Sequence, residues 1–204
     1  MQLASQQLAK WSTENLMNIN AKKTKEMILG PALCNPPRPI VINNGTIEGV
    51  TSFKLLGVTI ANSLKWDEHI TTICSKVNKR LHYLKLLKRC SMPADDLLHY
   101  YKSAIRPVIE YACPVWQSGL TLEQRDRIES LQRRALKLIS NSHDHEFYCV
   151  LYDNEPIADR LDNLARLFFS KICRKTDCIH YLLPNERSAE VQDKLRHSEH
   201  LPGI

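Results

Sequence analysis

The chain has 204 residues, of which 43% are hydrophobic and 25% charged, a balance that fits a globular protein and excludes a wholly disordered one. It contains only 6 Gly, which argues against an all-β fold built on tight turns and in favour of long helices. The formal net charge is +6, nothing at the amino terminus resembles a secretion signal, and no apolar run approaches the roughly 18 residues that span a bilayer.

In chain order, residues 1–18 read as a helix with Leu3, Leu8, Trp11 and Leu16 roughly on one side. A short strand fits Lys25 to Leu29, stopped by Gly30-Pro31. Ile40-Val41-Ile42, then Asn43-Asn44-Gly45, then Thr46-Ile47 is a hairpin signal, because Asn-Gly supplies the positive φ angles of a type I′ turn. Phe53 to Ile60 is a second β-rich run, and its Gly57 marks a bend or a close backbone approach.

From Trp66 the period becomes helical. Ile70, Ile73, Val77, Leu81, Leu84 and Leu87 step by three or four, with Lys76, Lys79, Arg80, Lys85 and Lys88 between them. Pro93 breaks this helix, and Asp95-Asp96 suits the start of the next. That helix carries Leu97, Tyr101, Ile105, Val108, Ala112 and Val115, with a kink or split expected at Pro107. Thr121 and Gln124 fit a capping box ahead of a third helix, which has Ile128, Leu131, Ala135, Leu138 and Ile139 on one side and Arg133 and Arg134 on the other. Residues 142–156 read as irregular, Ile157 to Ile172 as a fourth helix, and the tail after Cys178 as frayed. The expected fold is α+β and predominantly α, with a small hairpin and strand unit over residues 1–64, a helical bundle over 65–141 and a helical extension over 142–204.

Two compositional features bear on function. Between Lys65 and Arg106 there are nine Lys or Arg against four acids, so the basic surplus is local. Such a surface fits a polyanion such as nucleic acid, and equally a solvated helix face. The seven Cys are scattered singly, which fits reduced thiols in the cytosol or nucleus rather than a secreted protein. Cys173, Cys178 and His180 lack a second tight pair, so no metal site is assigned.

Several strings carry a family resemblance. Phe53-Lys54-Leu55-Leu56-Gly57-Val58, followed by Leu64-Lys65-Trp66-Asp67-Glu68-His69-Ile70, is similar to the F-K-Y-L-G-V and L-x-W-x-x-H-I segments of non-LTR retrotransposon reverse transcriptases of the jockey and CR1 type. Tyr101 with Ile105 to Ala112 and Pro114-Val115-Trp116 resembles that family's Y-x-x-x-I-R-P-V-x-E-Y-A-x-P-V-W. Glu129 to Ile139 resembles its E-x-x-Q-R-R-A-L-R-x-I, and Trp11-Ser12, Asn15, Asn20 and Lys23-Thr24-Lys25 resemble its W-S-x-x-N and N-x-x-K-T-K. The matches run in order over roughly residues 8–140, and Leu55 stands where the family has Tyr.

The resemblance implies late palm, primer grip and thumb of an RNA-directed DNA polymerase. The family's Mg²⁺ ions sit on three aspartates upstream of the first matched helix, and they activate the primer 3′-hydroxyl and stabilise the departing pyrophosphate. The only adjacent pair here, Asp95-Asp96, stands in another context and reads as a helix start. The expectation is therefore a fragment that retains no metal cofactor and does not polymerise alone, yet binds an RNA/DNA template–primer duplex through its backbone. By position Lys23 would assist pyrophosphate departure, while read by itself it is a surface lysine. Lys54 and Gly57 would lie in the primer grip, and Lys76, Lys79, Arg80 and Lys85 would contact phosphates from the thumb. Trp66, Tyr101, Tyr111 and Trp116 lie within apolar stripes and are expected in the core. The alternative is a non-enzymatic helical module that binds nucleic acid or protein.

Overall fold

The computed structural model describes residues 2–33, 36–42, 45–140, 155–174 and 176–184. The expectations for an irregular stretch over 142–156 and for a frayed tail fall largely outside them, and the described start of that tail forms a 3-10 turn at His180–Leu182. The protein is α+β and predominantly helical, and it divides into two compact units, Met1–Thr72 and Ile73–Ile204. The division falls within the helix that begins just after Trp66.

The first unit opens with α1, Gln2–Glu14, four residues shorter at its C-terminal end than the sequence suggests. Six short strands follow: β1 Lys25–Glu26, β2 Val41–Ile42, β3 Gly45–Thr46, β4 Glu48–Gly49, β5 Ser52–Leu55 and β6 Val58–Ala61. They form three separate two-stranded ladders: β1 with β4 in parallel, β2 with β3 and β5 with β6 antiparallel. The hairpin expected around Asn43-Asn44-Gly45 is present, but Gly45 lies in the returning strand opposite Ile42. A Cβ there would stand 3.2 Å from the Ala21 Cβ and 3.3 Å from the Ile42 carbonyl oxygen, so close packing favours the glycine.

α1 buries two small polar residues rather than the leucines that its sequence pattern predicts. Ser5 and Ser12, two turns apart, are buried, while Leu3, Leu8, Trp11 and Leu16 are exposed. The serine hydroxyls are satisfied by their own helix, Ser5 on the Gln2 carbonyl and Ser12 on the Ala9 carbonyl, each at 2.8 Å. Gln2 then behaves as a strand residue toward β2: its Nε2 donates to the Val41 carbonyl at 2.9 Å, and its Oε1 accepts the Val41 N–H at 3.3 Å.

The second unit is built from the rest of α2, Asp67–Arg89, and from α3 Ala94–Tyr100, α4 Arg106–Glu110, α5 Cys113–Trp116, α6 Leu122–Ser140 and α7 Ile157–Ile172. α7 packs on α5 and α6, and α3 packs on α6. Asp67 and Glu68 stand in the first turn of α2 and Lys88 and Arg89 in its last, each favourable to the helix dipole. The expected break at Pro107 takes a specific form. Tyr101–Ile105 is a π-helical turn joining α3 to α4, and Pro107, which has no N–H to give, lies in the first turn of α4. Arg80 on α2 donates to the carbonyl of Ala104 inside that turn.

The capping box at the start of α6 is reciprocal. The Thr121 N–H donates to Gln124 Oε1 at 3.0 Å, and the Gln124 N–H donates to Thr121 Oγ1 at 3.2 Å. The core holds Leu97, Tyr101, Ile109, Trp116, Ile128 and Leu136. Of the four aromatics expected inside, Tyr101 and Trp116 are fully buried, Trp66 is half-buried and Tyr111 is exposed.

The motif residues that are neither apolar nor basic are hubs of this packing. Gln132, 1% exposed, accepts the Tyr101 hydroxyl at 2.7 Å and donates to the Glu155 carbonyl at 2.9 Å. Glu129 accepts the Ile157 N–H at 3.1 Å and so caps the first turn of α7. Glu110 ion-pairs with Arg106 at 3.2 Å and with Arg160 of α7. Ala112 adopts a left-handed conformation, φ 52°, which ends α4 and turns the chain into α5, and the Trp116 indole donates to the Tyr111 carbonyl at 3.1 Å across that corner.

Candidate nucleic-acid interface

In the first unit, the lysines expected to contact substrate are exposed and Gly57 is half-buried. Lys23 sits in a turn whose N–H is held by Asn20, at 3.0 Å from its carbonyl oxygen and 3.2 Å from Oδ1. Lys54 is exposed on β5, paired with Thr59. The β5–β6 hairpin closes through Leu56 and Gly57, with Leu55 opposite Val58. Both turn residues have positive φ, 46° at Leu56 and 91° at Gly57, as a two-residue type I′ connection requires. Gly57 is thus demanded by the turn itself. Leu56 takes the same backbone region without glycine's freedom and leaves its side chain 84% exposed.

The W-x-x-H-I string anchors this hairpin. The Thr59 N–H of β6 donates to His69 Nδ1 at 3.3 Å, and the Trp66 and His69 rings meet edge-on with centroids 6.0 Å apart. Both residues stand at the start of α2, so the strand and the helix that follows it are tied at a fixed point. Nδ1 is the acceptor in that bond, so the ring carries its proton on Nε2.

On α2 the basic residues do not form one face. Lys76 and Lys85 are nine positions apart, about two and a half turns, and so point to opposite flanks. The first flank shows Lys76, Lys79 and Tyr83 at helical spacing, all exposed, with Tyr83 at 58%. Arg80 lies at the border of the core and is held by the Ala104 carbonyl, which gives it a structural partner. The second flank faces α6 across a groove of about 690 Å³. α2 contributes Asn78, Leu81, His82, Lys85 and Lys88 to it, and α6 contributes Arg134, Lys137 and Leu138. Two bonds bridge the groove: Arg134 to Asn78 Oδ1 at 2.9 Å, and Lys88 to the Leu138 carbonyl.

Tyr83 and Lys137 escape the sequence reading, which gives Arg134 only as part of the polar side of α6. Tyr83 is a lone aromatic among cations, four residues beyond Lys79. Arg134 and Lys137 are three residues apart and therefore on one side of α6, which is the signal that could have found them. Asp95 and Asp96 occupy the first turn of α3, a favourable place for carboxylates. No three His, Cys, Asp or Glu side chains converge among the described residues, and no described helix is long and apolar enough to cross a membrane.

No known family model and no solved structure matches the chain. Three known proteins do. The probable RNA-directed DNA polymerase from transposon X-element of Drosophila melanogaster is 25% identical over 135 residues, 65% of this chain and 14% of that protein. The RNA-directed DNA polymerase from mobile element jockey of Drosophila funebris is 26% identical over 195 residues, 91% of this chain and 21% of that protein. The probable RNA-directed DNA polymerase from transposon BS of Drosophila melanogaster is 22% identical over 138 residues, 66% of this chain and 15% of that protein. The matches thus span only about one seventh to one fifth of the length of these relatives. The resemblance read from the ordered motifs stands: the chain is similar to jockey-type retrotransposon RNA-directed DNA polymerases.

Proposed function

We propose that the chain is the template–primer-holding segment of a retrotransposon RNA-directed DNA polymerase, with late palm over residues 8–30, primer grip in β5–β6 and thumb in the helices from α2 to α6. The observation that carries this reading is the exposed Lys76–Lys79–Tyr83 stripe on the longest helix of a chain similar to such polymerases. Lys and Arg on a helix face hold phosphates without reading bases, and an exposed aromatic ring adds contact with sugar or base. In the same reading the Leu56–Gly57 tip and Lys54 position the primer end, and Lys23 assists pyrophosphate departure. The family's Mg²⁺ chemistry needs three aspartates, and none of the matched motifs supplies them. No bond-making step is therefore assigned to these residues, and the 204-residue chain by itself is expected to hold a primer without extending it.

Binding of a labelled RNA–DNA duplex, measured by anisotropy across a salt series, tests the reading. Affinity should fall steeply with salt, and Lys76→Glu with Lys79→Glu should weaken it and flatten the slope by about 0.9 per lost phosphate contact. Salt-independent binding, or unchanged affinity in that double variant, would remove the interface. Primer extension by the purified chain with template and Mg²⁺ would overturn the holding-only role.

A further inference from the structure

We infer that the groove between α2 and α6 is a second nucleic-acid site, distinct from the Lys76–Lys79 flank, and that it takes a single strand. The argument rests on what lines it. Cations stand on both walls, Lys85 and Lys88 on α2, Arg134 and Lys137 on α6, and no lining residue is acidic. Neither Lys85 nor Lys137 is paired with a carboxylate among the described residues, and both are exposed. Arg134 holds its place through Asn78, a neutral acceptor, so that bond leaves its charge uncompensated while fixing the guanidinium over the groove. The floor is apolar, with Leu81 buried and Leu138 half-buried, and the exposed His82 ring stands at its side.

This combination selects among polyanions. Two walls of cations above an apolar floor, with a ring beside it, match how single strands are held: phosphates tracked by the walls, bases laid on apolar or aromatic surface. A duplex presents its phosphates on a convex surface and suits the outward Lys76–Lys79 flank instead. Side-chain bonds span the recess, Arg134 to Asn78 and Lys88 to the Leu138 carbonyl, and a rigid duplex could not enter without breaking them. An acidic peptide would satisfy the cations, but it would leave the apolar floor and the ring without a matching group.

The two flanks predict a crossed result with the full chain. The probes are a fluorescein-labelled oligouridylate of twelve nucleotides and an RNA–DNA duplex. Lys85→Glu with Lys137→Glu should weaken the oligouridylate by at least about tenfold, since two contacts turn repulsive, and reduce its salt slope by about 0.7 per contact, while duplex affinity changes little. Lys85→Arg with Lys137→Arg should retain binding. Helix content by circular dichroism should match the parent, because both side chains are exposed. Unchanged oligouridylate affinity in the charge-reversed variant overturns the inference, as does equal loss of both probes. Displacement of the oligouridylate by an equal charge of polyglutamate would also overturn it, in favour of an acidic protein partner. If Lys76→Glu with Lys79→Glu fails to weaken the duplex while the groove variant loses the single strand, the thumb reading fails and this site survives.

Discussion

Trp11 and Trp116 are the same residue in two regions that treat apolar surface differently. Trp116 is fully buried, with its indole N–H satisfied by the Tyr111 carbonyl, and like Tyr101, Ile109 and Ile128 it belongs to the core of the helical unit. Trp11 is 52% exposed on α1, and Leu3 and Leu8 of the same helix and Leu16 just beyond it are exposed too. Among its described residues the first unit has three two-stranded ladders and no sheet wide enough to cover a helix, and a two-stranded hairpin alone is marginal in water. Local order therefore comes from different sources: packing in the helical unit, and in the first unit hydrogen bonds such as Gln2 to Val41 and Thr59 to His69.

The sharpest way to break that comparison is to truncate both tryptophans. Trp116→Ala should destabilise the helical unit by about 3–5 kcal/mol, the range for a large buried aromatic. Trp11→Ala should change stability by less than about 1 kcal/mol, as exposed substitutions do. Urea unfolding followed by circular dichroism measures both, and similar losses would mean that α1 is packed as tightly as α5.

Chemical reactivity gives a second contrast, within the helical unit itself. Burial pushes the Cys113 thiol up to about 11, with the nearby Glu110 carboxylate adding to the effect. Relative to an ordinary value of 9.0, its thiolate fraction at pH 8 is lower by roughly a hundredfold. Cys90 and Cys178 are exposed. Peptide-level mass spectrometry after brief iodoacetamide treatment should find Cys90 and Cys178 labelled and Cys113 spared. The linkage follows the same sign. The folded state holds the thiol protonated, so this contribution to stability is full below pH 9.0 and is lost as pH rises toward about 11. Labelling of Cys113 at the rate of Cys90 would show that the helical core opens readily.

A smaller effect probes the polar hub. Tyr101→Phe removes one hydroxyl and leaves Gln132, 1% exposed, without one of its partners. The expected loss is about 1–3 kcal/mol, the desolvation cost of a buried unsatisfied group. A second change, Gln132→Leu, on the Tyr101→Phe background should cost less than the two single losses added together, because they share one bond. Strict additivity would mean that the bond contributes nothing.

How much of this was legible in the sequence differs between the regions for a physical reason. Periodicity located α2, α6 and α7, and local chemistry located the Thr121–Gln124 cap, because those features depend on near neighbours. Periodicity failed at α1, where the small Ser5 and Ser12 are buried and satisfied by their own backbone while Leu3, Leu8 and Trp11 stay exposed. The 3.6-residue turn also places Lys76 and Lys85, grouped in the sequence reading as phosphate contacts, on opposite flanks of α2. Glu110, Glu129 and Gln132 were visible only as motif letters. Their partners, Arg160, Ile157, Tyr101 and Glu155, lie 23 to 50 positions away, and no local pattern encodes such a meeting.

The smallest effect carries the most about function. Leu56 holds a left-handed backbone at φ 46° with its side chain 84% exposed, a conformation that disfavours a residue with a Cβ by about 1–2 kcal/mol. Leu56→Gly should therefore stabilise the β5–β6 hairpin by about 1 kcal/mol, read as slower amide exchange at Lys54 and Thr59. A residue kept for folding alone would bind primer equally well after that change. If the tip positions a primer, the glycine variant should be better ordered and yet weaker toward the RNA–DNA duplex, since the apolar contact is gone. A gain in order with undiminished binding would make the hairpin an ordinary turn and leave the outward flank of α2 as the duplex contact.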